Sequence, residues 1–510
     1  MLQKSLITIG CIALSSIAYA QKANDTLRIA YKAPIVTTDV YTDPQPETSL
    51  TSAAVYDTLI TFDSATKSFR PSLAESWVQS GPTTIEIKLR KGITFHDGSP
   101  FTADDVVYTL NYLINPKSNI RFTSNWTFPY KIEKIDEYSV RIIGKTPTPY
   151  ALARLATTMP IYPAAIHSKL DDKASFGRRF SIGTGPYKVV SLDANQGILL
   201  VRNEAYRPPG SWSQKPSIKF VRMLPIPDPQ TQIAQIITGG VDIILEAPKD
   251  QSEQLASLSN VTTTTIETTA YTYLSFDAAG RSGVKPLTDV SVRRALAMAI
   301  DRKGLAKAIM SGGDLVRVID APCNAALQIG CVVDPANLTY DPKAARELLS
   351  KAGYPNGFDV EVTTIPGTEK LGEAIAGQLT AIGVRAKVEN LTFVAYRQKQ
   401  NAGKLQILVA HYSSAGLTDV NAAIDLYVGS EQRDYWRDTL ISELAAKASQ
   451  EMDGTVRNDL LKQIFNAMNE KRLVLPLTTF PSVVVHSRDV TMPRKSTVFT
   501  APELNNMMWD

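Results

Sequence analysis

One uninterrupted stretch, Phe69 to Leu110 (FRPSLAESWVQSGPTTIEIKLRKGITFHDGSPFTADDVVYTL), constrains the fold of this chain more than any other. Ile85-Glu86-Ile87-Lys88-Leu89 alternates apolar and charged residues, the period of a strand with one buried face. Asp97-Gly98 supplies a turn. Thr102, with Asp105 three residues on, has the form of a capping box with Asp in place of Glu or Gln. Val106, Leu110 and Leu113 follow at helical spacing. Pro71 to Trp77 reads as a short helical turn that puts Leu73 and Trp77 on one side. The stretch is expected to run turn, strand, turn, capped helix, its residues spent on packing and capping. His96 and Asp97 are metal-ligand types, but two adjacent ligands do not make a metal site.

At 510 residues the chain exceeds one typical core, so two or three domains are expected. A formal net charge of +4 without a long basic run disfavours nucleic acid as a partner. The N-terminus sets the compartment. Lys4 precedes a largely apolar run, Leu6 to Ala18, and Ala18-Tyr19-Ala20 is an A-x-A cleavage pattern. Residues 1–20 read as a signal peptide, with Gln21 opening the mature chain; a lipoprotein site at Cys11 is the lesser alternative. The expected location is the periplasm. Export leaves Cys323 and Cys331, which flank a loop-like stretch in an oxidising compartment. A local disulfide between them is expected, with two free buried thiols as the alternative.

Leu27, Ile29 and Tyr31 alternate in a first strand, followed by a loop carrying Thr37, Thr38 and Asp39. Gly183-Thr184-Gly185-Pro186-Tyr187 reads as a tight turn into a strand, and Thr262 to Thr265 is β-prone. From residue 289 helices become frequent. Asp289 caps one, and Asp341-Pro342 opens another that Gly353 closes. Strand, helix, strand, helix, strand then alternate from Phe358 to Ala410, which implies parallel pairing with right-handed crossovers. Ligands of open α/β sheets sit beyond the carboxyl ends of strands. That rule selects Ile365-Pro366-Gly367-Thr368 after the first of these strands and His411 to Gly416 after the last.

Phe69–Leu110, the turn at Gly183, DVSVRRALAMAIDR at Asp289–Arg302 and YDPKAA at Tyr340–Ala345 occur in an order that resembles one family. It is the bacterial extracellular solute-binding protein family 5, the oligopeptide, dipeptide and nickel class that serves ABC importers. The resemblance implies an α/β, two-lobed periplasmic binding protein fold of three domains, with the ligand cleft between the lobes. Carried onto this chain, the first domain takes residues 21–62, 185–282 and 478–510, the second 63–184, and the third 283–477. It further implies a monomer that encloses a peptide or peptide-like solute and docks on permease subunits with their cytoplasmic ATPases. No cofactor is implied.

The chain departs from the peptide-binding pattern. Peptide binders place an Asp for the α-ammonium group three residues before an Asp-Pro or Glu-Pro step; here the step is Asp419-Val420 and the earlier residue is Gly416. Dipeptide binders place an Arg before the Pro of the earlier loop; here Ile365 precedes Pro366, with Lys370 as a substitute. Asp39, Asp419 or Asp277 would have to supply the counter-charge from elsewhere. The ligand-binding candidates are Tyr412, Ser413, Ser414, Gly416, Asp419, Pro366, Thr37, Asp39 and Tyr273, the last alternating with Tyr271 along a strand. The departures keep an opine, a sugar conjugate or a metal chelate open as the solute. The four histidines, His96, His167, His411 and His486, lack metal-site spacing, so no metal is expected. A secreted hydrolase is a remote alternative, since no G-x-S-x-G, H-E-x-x-H or triad is present.

Overall fold

The computed structural model describes residues 24–510, apart from 44, 119, 122–127, 212, 246, 248, 337, 414–415 and 495–502. The expected signal peptide, residues 1–20, lies outside the described residues. The strands form three principal sheets. The large sheet has seven strands, in the order Val261–Ile266, Ser482–Ser487, Ile243–Ile244, Thr26–Tyr31, Phe220–Pro225, Gly197–Arg202 and Tyr187–Asp193. Thr26–Tyr31 pairs in parallel with both of its neighbours, and the remaining pairs are antiparallel. The small sheet is four antiparallel strands, Ala74–Gly81, Thr84–Leu89, Ser139–Gly144 and Pro129–Asp136 in that order. Leu27 and Ile29 of the large sheet share one buried cluster with Ile85, Ile87, Val140 and Ile142 of the small one. A continuous apolar core of this kind joins the two sheets into one lobe.

The other lobe is built on a five-stranded sheet, in the order Arg385–Asn390, Asp359–Thr364, Ile407–Tyr412, Tyr271–Phe276 and Val474–Thr479. Asp359–Thr364 pairs in parallel with Arg385–Asn390 and with Ile407–Tyr412. The connecting helices Glu369–Ala381 and Phe393–Asn401 supply the crossovers that parallel strands require. Side chains alternate across this sheet with period two. Tyr271, Tyr273, Leu408 and Ala410 enter one core cluster, and Leu274, Phe276, Ile407 and Val409 enter the other. Helix caps follow the sequence closely: Asp289, Asp341 and Thr102 each accept a backbone N–H in the first turn, and the Thr102–Asp105 box closes in both directions.

Two expectations are corrected. Pro71–Trp77 is not a helical turn. Ala74–Gly81 is an edge strand whose Trp77 pairs with Ile87. A single helical turn has one hydrogen bond against a costly nucleus, so pairing with the neighbouring strand wins. The boundary at residue 282 also moves. Tyr271–Phe276 belongs to the five-stranded sheet, so the chain passes between lobes within residues 267–270, and again at 480–481. An apolar run such as YTYLSF announces a central strand without saying which sheet holds it.

His96 shows what the HDG motif does. Its Nε2 donates to the Gly185 carbonyl at 3.0 Å and its Nδ1 accepts from the Gly183 N–H at 3.3 Å. The Gly183 turn needs glycine because a Cβ there would lie 2.0 Å from the Val55 carbonyl oxygen. Cys323 and Cys331 are joined by a disulfide, their Cα atoms 5.9 Å apart. The loop they close carries Ile329, whose N–H donates to Thr418 at 2.6 Å and whose carbonyl accepts from Val420 at 3.1 Å. It thereby braces the 416–420 loop of the second lobe. It also reaches the first lobe: Ala325 accepts from Lys67, and Ile329 packs on the first lobe's core.

Candidate functional site

The strand Ile407–Tyr412 is central in its sheet and ends at the seam between the lobes. Tyr412 is half-buried, and its hydroxyl donates to the Ala422 carbonyl at 2.8 Å. Burial pushes that hydroxyl above its usual range, and it stands in the field of Asp425, Arg154, Arg397 and Arg433. Asp425, Arg397 and Arg433 come from the second lobe. Arg154 comes from the helix Ala151–Thr157 of the first, with its guanidinium 5.1 Å from the centre of the Tyr150 ring. Tyr150 in turn lies in the field of Asp425 and Asp419. Charges of both lobes therefore act on Tyr412, at the carboxyl end of a strand where open α/β sheets place a ligand.

Asp425 is on the helix Asn421–Val428. It is accessible to solvent, yet surrounding protein desolvates its carboxyl and raises its pKa, with Arg154 and the Asn421 amide opposing. Asn421 Nδ2 donates to Asp425 Oδ2 at 3.0 Å and fixes the carboxylate plane. Neither Asp425 nor Arg154 was among the sequence candidates. The signal for each was a single charge inside an otherwise apolar helix, AAIDLYV and ALARLAT.

The structure separates the sequence candidates. Asp419 forms a two-pronged ion pair with Arg457, at 2.7 and 2.8 Å, with both side chains about 5% exposed (6% and 5%). It also accepts the Asn421 N–H at 2.8 Å, so its oxygens are spent on holding the loop. Gly416 has φ of +76°, and its N–H donates to Ser413 at 3.2 Å. The Ser413 carbonyl also receives the Thr269 hydroxyl at 2.9 Å, a tie to the crossing segment between the lobes. Ser414 lies outside the described residues. Pro366 is exposed on its loop, where Thr368 donates to the Ile365 and Val409 carbonyls. His411 is beside that loop, stacked on Phe480 at 5.0 Å.

Three candidates lie in the interior. Tyr273 is buried behind the Tyr412 end of the sheet and meets Tyr427 edge-on at 5.5 Å. Thr37 and Asp39 are enclosed in the first lobe, where the 175–181 turn closes over them through the Thr38 N–H to Gly177 carbonyl bond of 2.8 Å. Asp39 accepts from the Tyr162 hydroxyl at 2.6 Å, the Tyr41 N–H at 2.9 Å and the Thr42 hydroxyl at 2.9 Å. Burial nonetheless raises its pKa.

Residues 68–434 match the family described as bacterial extracellular solute-binding proteins, family 5. The chain is 26% identical to heme-binding protein A of Haemophilus influenzae over 69% of this chain and 68% of that protein. It is 25% identical to the glutathione-binding protein GsiB of Escherichia coli K12 over 96% of this chain and 95% of that one. Its fold matches the periplasmic binding protein DppA of Helicobacter pylori, solved with the peptide STSA, at a TM-score of 0.76 and 23% identity, covering 96% of this chain and 99% of that one.

Proposed function

We propose that this chain, which belongs to the bacterial extracellular solute-binding proteins of family 5, captures a peptide or peptide-like solute outside the cytoplasmic membrane and delivers it to an ABC permease. The observation that carries this reading is the family match over residues 68–434; the field of Arg154 of the first lobe at Tyr412 of the second supports a solute site at the seam. A solute at that seam touches both lobes only when they are closed. Its differential affinity for the closed state supplies the shift, and closure proceeds about the two crossings at 267–270 and 480–481. The closed form then docks on the membrane subunits, whose cytoplasmic ATPases power transfer. An exported, periplasmic location accords with the A-x-A pattern at Ala18-Tyr19-Ala20.

Charge narrows the solute. Three arginines, Arg154, Arg397 and Arg433, and one carboxylate, Asp425, act on the Tyr412 hydroxyl. That balance suits a solute with more carboxylates than ammonium groups. Glutathione, named for the E. coli relative, is such a molecule, with one ammonium and two carboxylates. A second reading keeps the transport role with an opine, a sugar conjugate or a metal chelate as the solute; Gly416 in place of the amine-binding Asp favours it. The test is a thermal-shift screen of residues 21–510, unfolded and refolded to strip carried-over solute. Dipeptides, oligopeptides, glutathione, opines, haem and nickel chelates are offered at millimolar concentration. At least one is expected to raise the melting temperature, since a solute at a hundred times its Kd adds about 2.7 kcal/mol. Failure of the whole panel overturns the reading.

A further inference from the structure

We propose that the loop closed by the Cys323–Cys331 disulfide is a strap that holds the two lobes together, with Asn324 and Ile329 as the positioning residues that set how readily they part. This role rests on the solute-capture reading and deepens it, because it names what governs closure. The chain crossings at 267–270 and 480–481 alone permit rotation about the line that joins them. The strap is a further tie. It bears on both crossings, on the 416–420 loop and on the first lobe.

Asn324 organises the strap from inside. Its Oδ1 accepts the Ala326 N–H at 3.0 Å, and its own N–H donates to Gln328 Oε1 at 2.8 Å. A turn knotted in this way leaves the Asn324 amide nitrogen to reach outward. Nδ2 donates to the Thr268 carbonyl at 2.7 Å, on the first crossing. The Thr268 hydroxyl donates in turn to the Phe480 carbonyl at 2.8 Å, on the second. Asn324 and Thr268 are both buried, so breaking either bond strands a polar group away from water. One line of hydrogen bonds thus runs from the disulfide loop through both crossings.

The other end of the strap meets both lobes. The Ile329 N–H donates to Thr418 at 2.6 Å and its carbonyl accepts from Val420 at 3.1 Å, a parallel bridge opposite Asp419. Gly330 permits that approach: its φ is +78°, and a Cβ there would stand 2.7 Å from Leu461 Cδ1 and 3.0 Å from Val420 Cγ2. The Ile329 side chain packs on the first lobe's core, and the Ala325 carbonyl accepts from Lys67, in the turn between the first-lobe strands Ile60–Asp63 and Ser68–Pro71. Parting the lobes breaks these last two contacts, while those within the second lobe survive. The disulfide closes the loop at its base, so its two ends move as one piece. Loss of the strap therefore lowers the closed population of the empty protein. Any solute that needs the closed state then binds more weakly by the same fraction.

The test begins with small-angle scattering of the empty, refolded chain, which needs no solute. Ile329→Ala combined with Lys67→Ala removes the two contacts with the first lobe, and Asn324→Ala cuts the link to the crossings. Both variants are expected to show a larger radius of gyration than the wild type. Ile329→Val should stay close to the wild type, and Cys323→Ser with Cys331→Ser should fall between. A cooperative thermal transition shows that each variant is folded. For every dipeptide that the wild type binds, and for glutathione, the calorimetric affinity of the first two variants should fall by one common factor, at least about fivefold. A wild-type radius in the Ile329→Ala, Lys67→Ala variant overturns the strap, even where its melting temperature falls, since the loop is then a tie within the second lobe only. Factors that differ between solutes overturn it too, because they place the loop against the solute itself. If no member of the panel binds, solute capture is contradicted, while the scattering still decides whether the strap holds the lobes.

Discussion

Replacing Arg457 with alanine is expected to cost about 3–5 kcal/mol of stability in the second lobe, the range for removing one partner of a buried ion pair. The guanidinium meets both Asp419 oxygens, at 2.8 and 2.7 Å, and its Nε donates to the Ala448 carbonyl at 3.1 Å. Truncation leaves a buried carboxylate whose remaining donor among the described residues is the Asn421 N–H, at 2.8 Å. The cost therefore comes from stranding Asp419 more than from losing Arg457. The double change Arg457→Met with Asp419→Leu should recover most of it, because neither charge is then buried alone. Denaturant unfolding followed in the second lobe reads both variants. A loss below about 1 kcal/mol for Arg457→Ala would place the pair among ordinary surface bridges and contradict its role as an anchor. Affinity should fall as well, since Asp419 holds the start of the helix that carries Asp425.

The second large effect is acid lability between pH 6.5 and 4. Burial lowers His96, His167 and His411 to about 4, and it lowers His486 as well. A histidine whose folded pKa is depressed favours the neutral form in the folded state. Its contribution is complete above 6.5 and is lost as pH falls toward 4, where the unfolded chain takes up the proton first. For His96 the loss at pH 4 is about 3 kcal/mol. The cause is visible in its bonds. Nδ1 accepts from the Gly183 N–H, so a second proton would set two donors against each other. Asp57 works in the opposite direction: burial raises it to about 6, so its contribution grows as pH falls from 6 toward 3.8. The two are separated by His96→Gln, which cannot titrate. Its stability should decline about 3 kcal/mol less than the wild type between pH 7 and 4. Parallel pH profiles for the two proteins would contradict the assignment of the loss to His96.

The fold was legible wherever a local rule acts alone. Alternation marked Ile85–Leu89 and Leu27–Tyr31, and capping chemistry marked Thr102, Asp289 and Asp341. The carboxyl-end rule pointed to Tyr412, whose hydroxyl donates to the Ala422 carbonyl at 2.8 Å. Thr37 and Asp39, taken from the loop after the first strand, are enclosed by the 175–181 turn; a turn that is more than a hundred residues distant in the chain leaves no local trace. Asp419 is an acid in the right loop, but its partner Arg457 sits in a helix whose face cannot be matched to that loop from periodicity. Arg154 and Asp425 were hidden for a related reason. Each is the one charged residue in its apolar run, and only the meeting of two lobes brings them together.

The central claim is that the solute is held between the lobes, so that residues from both contribute to one affinity. Calorimetric titration of the best solute from the screen into the wild type, Tyr412→Ala of the second lobe and Arg154→Ala of the first measures this directly. Each variant is expected to weaken binding at least about tenfold. Loss in one variant with wild-type affinity in the other would place the solute on a single lobe and contradict capture at the seam.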